Sequence, residues 1–199
     1  MKPLFCIDLD NVVANTDEVM RRIIAEVTLG RVKLEYTDIK RFDYYECTDN
    51  SGNQLTKEEW YIVHNRYSEP ETILNVSPMQ DAVRSLNLLA EHGEIHFATS
   101  RLLQARKATV DWLAKLDFPK HSLHFLDHGK KHLALKRFHV AVEDHYEQAV
   151  LFATEADTPA FLMRHPWNAS RAHKQGVSWV ENWHELTNRI VDSVQSQQN

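Results

Sequence analysis

The chain has 199 residues, 43% of them hydrophobic and 26% charged, which excludes a disordered or collagen-like polymer and suffices to bury one core with room for a small insert. A formal net charge of −5 and a pI near 6.2 exclude bulk attraction to a nucleic-acid polymer or an anionic membrane. No apolar run approaches the ~20 residues of a transmembrane helix, and five scattered glycines (30, 52, 93, 129 and 176) exclude the glycine-rich loops that cradle phosphate with backbone amides.

In chain order, residues 3–10 (PLFCIDLD) read as a buried strand ending in two carboxylates. Acidic residues arrive too early for a signal peptide, and Cys6 and Cys47 offer no disulfide framework, so a cytoplasmic protein is expected. Val19, Met20, Ile23, Ile24 and Val27 repeat at helical spacing, with Gly30 placed to end that helix. Residues 31–76 are polar and aromatic without a convincing strand. Their clearest feature is the capping box Thr56–Glu59, opening a helix that Pro70 stops. Ser77-Pro78 reads as an N-cap followed by proline at the first helical position, leading a helix with Met79, Ala82, Val83, Leu86, Leu89 and Ala90 on one face and Gly93 at its end.

Strands and helices then alternate. Strands are expected at 94–98, 122–126, 140–142 and 160–163, with a short one at 179–180; helices at 102–116, 130–138 and 146–155. Asn182 caps a last helix that frays into residues 195–199. This order predicts a three-layer α/β Rossmann-like fold with a parallel sheet. The core comprises 1–14 and 78–199, and 15–77 form a small helical cap inserted after the first strand.

Ligands of open parallel sheets bind beyond the C-terminal strand ends. The groups expected there are Asp8 and Asp10, Thr99-Ser100-Arg101, Lys130-Lys131 and Glu143-Asp144. So many carboxylates would repel one another and an anionic substrate, and a hard divalent cation removes that conflict. A metal-neutralised aspartate can then attack phosphorus while another carboxyl handles the leaving-group proton.

These motifs resemble the haloacid dehalogenase superfamily: Asp8-Leu9-Asp10-Asn11-Val12, the strand Ile95-His96-Phe97-Ala98-Thr99, Lys131, and Val142-Glu143-Asp144. Within it the chain is similar to the 5'(3')-deoxyribonucleotidase group and its nucleotidase relatives, through Asp-Leu-Asp-Asn-Val-Val-Ala-Asn-Thr (8–16), Thr-Ser-Arg (99–101) and a Pro-aromatic-Asn loop within Arg164-His165-Pro166-Trp167-Asn168. The resemblance implies a HAD-like fold and a Mg²⁺-dependent phosphatase acting on a small phosphorylated metabolite, with a nucleoside or deoxynucleoside monophosphate favoured.

The roles it implies are Asp8 as nucleophile and Asp10 as acid/base that also gives a backbone carbonyl to Mg²⁺. Thr99, Ser100, Arg101 and Lys131 bind phosphate, with Lys130 as the alternative lysine. Asp144 is a metal ligand with Glu143 beside it, and His145 supports the site. The chain departs from its relatives at Asn11, where glycine is common; asparagine tolerates left-handed backbone better than other side chains.

Bland readings stand beside these. Thr99-Ser100 or Glu143-Asp144 alone would be helix caps, and Arg101 could simply start its helix. His124, His128 and His132 are read as surface or loop residues rather than a second metal site. The aromatic residues of 31–76 mostly form the cap's own core, with Phe42, Tyr44 and Tyr45 as candidates to stack on substrate. His165–Asn168 are expected at the pocket rim. A sugar-phosphate substrate and a non-catalytic HAD-like binding module are the competing functions. Oligomeric state is left open.

Overall fold

A computed structural model describes residues 2–135 and 137–196. Six strands, β1 (Leu4–Ile7), β2 (Glu94–Thr99), β3 (His121–Phe125), β4 (Val140–Glu143), β5 (Ala160–Met163) and β6 (Val177–Val180), form one sheet in the order β3-β2-β1-β4-β5-β6. Every neighbouring pair is parallel. Helices α4 (Ala82–His92), α5 (Arg106–Lys115), α6 (Tyr146–Glu155) and α7 (Trp183–Ser196) cover it. Between β1 and α4 come α1 (Thr16–Val27), α2 (Lys57–Tyr67) and α3 (Pro70–Leu74). This is an α/β Rossmann-like architecture with a helical insertion after the first strand. Among the described residues no helix is long and apolar enough to cross a membrane.

The two faces follow from strand alternation. Phe5, Ile7 and Leu9 join one core with Leu86, Trp112 and Ile190, beneath α4, α5 and α7. Cys6, Ala98 and Ala141 point the other way, into a smaller core with Ala149 and Phe152 of α6. β1 lies between β2 and β4, where the strand order reverses, so its C-terminal end opens into the crevice of the sheet.

Several elements differ from the sequence expectation. Ser77-Pro78 does not begin a helix. The Ser77 carbonyl accepts from the Asn15 amide at 2.8 Å, and the Met79 amide donates to the Val13 carbonyl at 2.7 Å. These bonds lay the two connections to the insertion side by side, and α4 starts only at Ala82, after Asp81 at φ 63°. The helix expected at 102–116 begins with a 3₁₀ turn at Leu103–Ala105 and becomes α5 at Arg106, so Thr99-Ser100 cap no helix. In 130–138 the described residues hold one 3₁₀ turn, Lys131–Leu133, because Lys131 and His132 are both drawn inward. The last strand starts earlier than expected, at Val177, which pairs with Ala160. Gln195 and Ser196 belong to α7 rather than to a frayed tail; residues 197–199 lie outside the described part.

Candidate active site

Asp8 follows β1 directly, and its amide still donates to the Val142 carbonyl at 3.0 Å, so its side chain lies level with the end of β4. There the chain supplies Glu143 and Asp144. One ligand oxygen from each of Asp8, Glu143 and Asp144 lies within 4.8 Å of the others, and all three residues are buried. Lys131 is the cation in this group. Its Nζ lies 2.7 Å from Asp8 Oδ1 and 3.1 Å from Glu143 Oε1. The Leu9 amide also donates to Asp8 Oδ1, at 2.7 Å. Both donors thus fall on one oxygen of Asp8 and leave Oδ2 for other work.

Burial pushes all three carboxyls upward; the Asp8 charge adds to it at Glu143 and Asp144, and the Asp10 charge adds to it at Asp8. Asp144 rises to about 8 and Glu143 well above the usual range, with Asp8 as the next cause in both cases; Asp8 also rises despite Lys131. Burial disfavours the charged form of Lys131, but Asp8 and Glu143 outweigh it and hold the ammonium protonated. Three carboxylates against one ammonium leave a double negative excess when all are ionised. That donor set, all oxygen, fits a hard divalent cation of the Mg²⁺ type.

Asp10 sits differently. Its carboxylate accepts from Arg101, Thr16 and Tyr67, and Arg101 forms an ion pair with it at 2.8 Å. Burial would raise Asp10, but Arg101 overrides this and holds the carboxyl down at about 2. Its side chain is therefore outside the carboxylate cluster. Arg101, expected at phosphate, is committed to Asp10 and to Thr109 Oγ1, with its guanidinium over the Trp112 ring.

The remaining expected residues separate clearly. Ser100 lines the cavity above Asp8, and its buried Oγ has no hydrogen-bond partner among the described protein groups. Thr99 is fully buried, with Oγ1 accepting from the Arg101 amide, and does not line that cavity. Lys130 is exposed and pairs with Asp127 at 2.9 Å, away from the carboxylate cluster that Lys131 joins. His145 lines the cavity with a buried Nδ1 that has no partner among the described residues, and burial lowers it to about 4.

Asn11 adopts φ 58°, the left-handed backbone that glycine would supply in relatives. Its amide Nδ2 donates to Asp144 Oδ2 at 3.4 Å, and Oδ1 accepts from the Asp17 amide in the first turn of α1 at 2.8 Å. Behind it, His165 Nε2 donates to the Asn11 carbonyl at 2.9 Å. That carbonyl can only accept, so Nδ1 carries the lone pair and accepts a hydrogen bond from the Tyr36 hydroxyl at 2.7 Å. His165 stacks on Trp167 at 4.3 Å between ring centroids. It does not line the large cavity, contrary to the rim position expected for this loop. The loop instead works from below, where Asn168 Nδ2 donates to the Asp144 carbonyl at 2.7 Å and Trp167 Nε1 to the same carbonyl at 3.3 Å.

A cavity of about 490 Å³ opens over Asp8, Asp10, Lys131 and Asp144. Its far wall comes from the insertion and includes Phe42, Tyr44, Trp60, Tyr61, His64 and Tyr67. Phe42 crosses to the core side, stacking on His128 and meeting His145 edge-on at 4.3 Å. Tyr44 is buried and donates to Asp17 Oδ1; Tyr45 packs on Trp60 outside the cavity. The histidines at 124, 128 and 132 do not converge. His124 pairs with His96, while His132 lies beside Glu155. Sequence reasoning missed Tyr67 and Thr16. Thr16 lies inside the quoted 8–16 segment, whereas Tyr67 carries no local signal.

Known proteins resemble this chain in sequence and in fold. The family model for "5' nucleotidase, deoxy (Pyrimidine), cytosolic type C protein" matches residues 2–197. The chain belongs to this family. It is 23% identical over 183 residues to "Putative nucleotidase YqfW" of Bacillus subtilis (strain 168), covering 90% of this chain and 89% of that one. Among solved structures it is similar to a haloacid dehalogenase-like family hydrolase, SP0104, from Streptococcus pneumoniae (TM-score 0.64, 10% identity, 95% and 98% of the two chains). It is also similar to a HAD family hydrolase from Deinococcus radiodurans R1 (TM-score 0.63, 14% identity, 96% of each). The fold of this nucleotidase-family chain is that of the HAD superfamily hydrolases.

Proposed function

We propose that the protein is a Mg²⁺-dependent phosphomonoesterase of the cytoplasm whose substrate is a nucleoside or deoxynucleoside monophosphate. The observation that carries this is the two-part cavity. Its floor of Asp8, Asp144, Lys131 and Ser100 suits a metal and a phosphoryl group, and its far wall of aromatic rings suits a flat leaving group. Family membership and the two free, buried cysteines are in keeping with a nucleotidase in a reducing compartment.

In the proposed mechanism Asp8 attacks phosphorus through Oδ2, while Lys131 holds Oδ1 and balances charge. Asp8, Asp144 and the Asp10 carbonyl, with Glu143 behind them, would hold Mg²⁺, which when bound would neutralise the carboxylates and the phosphoryl charge. Ser100 Oγ, free of protein partners, donates to the phosphoryl group. Asp10, a carboxylate in the free protein, takes the proton that a phosphomonoester monoanion brings, passes it to the leaving oxygen, and then takes a proton from the water that hydrolyses the aspartyl-phosphate. The insertion serves as the cap that excludes bulk water and selects the leaving group, with Phe42 the ring best placed to stack on it.

The test is turnover of a panel of nucleotides, sugar phosphates and p-nitrophenyl phosphate, with Mg²⁺ and with chelator. Metal-dependent turnover that favours nucleotides is expected, and Asp8→Asn should reduce it roughly a thousandfold. Full activity in that variant would falsify the nucleophile, and a preference for sugar phosphates would reassign the substrate.

A further inference from the structure

Asp10 is held by side chains from both sides of the crevice. Oδ1 accepts from Thr16 Oγ1 at 2.7 Å, from the Tyr67 hydroxyl, and from Arg101 Nη2 at 2.8 Å and Nε at 3.2 Å. Among the described residues Oδ2 receives only Arg101 Nε, at 3.0 Å. Tyr67 and Thr16 each have one hydroxyl proton and direct it at the same oxygen. Both stand in the 15–77 segment, Tyr67 as the last residue of α2, whereas Arg101 follows β2 in the core. Arg101 Nη2 also donates to the Tyr67 oxygen at 3.2 Å, which fixes the phenol from the core side. Oδ1 is saturated. Oδ2 is the oxygen with room for one more partner, and Asp10 lines the cavity.

We propose that Tyr67 is a positioning residue through which the insertion sets the Asp10 carboxyl: with Thr16 and Arg101 it pins Oδ1, so that proton transfer at the scissile oxygen runs through Oδ2 alone. This rests on the phosphatase assignment of the same site. As Asp8 Oδ2 forms its bond to phosphorus, the ester P–O bond breaks. Asp10 is a carboxylate in the free protein, so its Oδ2 first takes the proton that a phosphomonoester monoanion brings as it binds; the leaving oxygen then takes that proton and Asp10 returns to carboxylate. In the second half Oδ2 takes a proton from water as the water oxygen bonds to phosphorus and the Asp8 acyl-phosphate bond breaks, restoring Asp8; that proton leaves with the phosphate and restores Asp10. A carboxyl free to rotate would present Oδ2 only part of the time. The Tyr67 hydroxyl removes that freedom only when the insertion is seated on the core, so cap position and acid geometry are one event.

Leaving-group dependence tests this. An alkoxide leaving from a nucleotide needs a proton in the transition state; p-nitrophenolate does not. Tyr67→Phe should lower kcat/KM for a nucleoside monophosphate roughly tenfold or more, while kcat/KM for p-nitrophenyl phosphate, which reports only the steps up to loss of the leaving group, falls no more than about threefold; the hydrolysis half, common to both esters, slows both kcat values alike. Asp10→Asn should show the same selectivity more strongly, and adding Y67F to D10N should cost nothing further, because the hydroxyl acts through that carboxyl.

An equal loss of kcat/KM on both esters in a variant that still melts like the wild type overturns the proposal. So does an added loss in the double variant, or a rise in nucleotide turnover. If Y67F folds poorly, Thr16→Val removes another Oδ1 donor and must show the same selectivity. A wild-type protein that turns over no phosphomonoester removes the phosphatase assignment and this inference together. A selective loss in D10N without one in Y67F removes the role of Tyr67 alone.

Discussion

At the scale of the residue, Asn11 repays close attention because its backbone and its side chain serve different ends. The loop from Asp8 to Ala14 closes on itself, with the Val13 and Ala14 amides both donating to the Leu9 carbonyl, and it needs left-handed backbone at position 11. Glycine meets that need at no steric cost, but has no side chain to reach Asp144 or the first turn of α1. Asparagine meets it at modest cost and supplies both contacts. Asn11→Gly should therefore weaken Mg²⁺ binding roughly tenfold, as losses behind a ligand do, and remove about 1 kcal/mol through the uncapped α1 amide. Asn11→Ala should weaken Mg²⁺ equally and lose about 1 kcal/mol more, because a Cβ without a polar group gains nothing in that backbone region. Titration calorimetry reads the first quantity and urea unfolding the second. Equal stabilities for the two variants would show that the backbone there carries no strain. Asp8, Lys131 and Asp144 were legible in the sequence because each follows a strand or turn with a fixed place at the sheet rim. Tyr67 was not legible. It reaches Asp10 from 57 positions along the chain, and only tertiary packing brings them together.

At the scale of the element, most of the strands and helices were legible from apolar period and punctuation, and the exceptions share a cause. The capping box at Thr56 forms as expected, with the Glu59 amide donating to Thr56 Oγ1 at 3.2 Å and Glu59 returning to the Thr56 amide at 2.8 Å. Ser77-Pro78 carried an equally good local signal and failed, because its backbone groups were claimed by Asn15 and Val13 across the paired connections. The stretch from Lys130 failed for a similar reason: its first two inward side chains answer to Asp8 and Glu155, not to a helix face. Gly93 ends α4 as expected but for a different reason. Its φ is −161°, ordinary extended backbone, so left-handed freedom is not what it provides. A Cβ there would lie 2.4 Å from Phe5 Cε2 and 2.8 Å from the Pro3 carbonyl. The glycine lets α4 hand over to β2 directly against β1. Gly93→Ala should therefore destabilise by about 1–3 kcal/mol, the usual cost of overpacking. Chemical denaturation measures it, and a neutral result would mean that β1 yields at its start.

At the scale of the whole molecule, a net charge of −5 is unremarkable, yet part of the negative charge is concentrated where water cannot screen it. Asp8, Glu143 and Asp144 share one buried cation, Lys131, and the sheet places them together because β1 and β4 are neighbours. Without metal the fold must keep protons on this cluster. Asp144 holds its proton up to about 8 in the folded chain but only to the ordinary 3.8 when unfolded, with burial and then Asp8 as the causes. Between those values the folded state binds more protons than the unfolded one. Stability from this group is full below the unfolded value and is lost as pH rises through about 8. The metal-free protein should thus show a falling melting temperature from pH 5 to pH 8, in the direction Asp8 and Glu143 also push. Mg²⁺ removes the need for protons, so saturating metal should flatten that slope, raise the melting temperature most at the alkaline end, and release protons on binding. Thermal melts with chelator and with Mg²⁺ across this range read the slopes, and calorimetry in two buffers of different ionisation enthalpy reads the protons. A slope unaffected by metal, with no proton release, would place the cation elsewhere than among these three carboxyls.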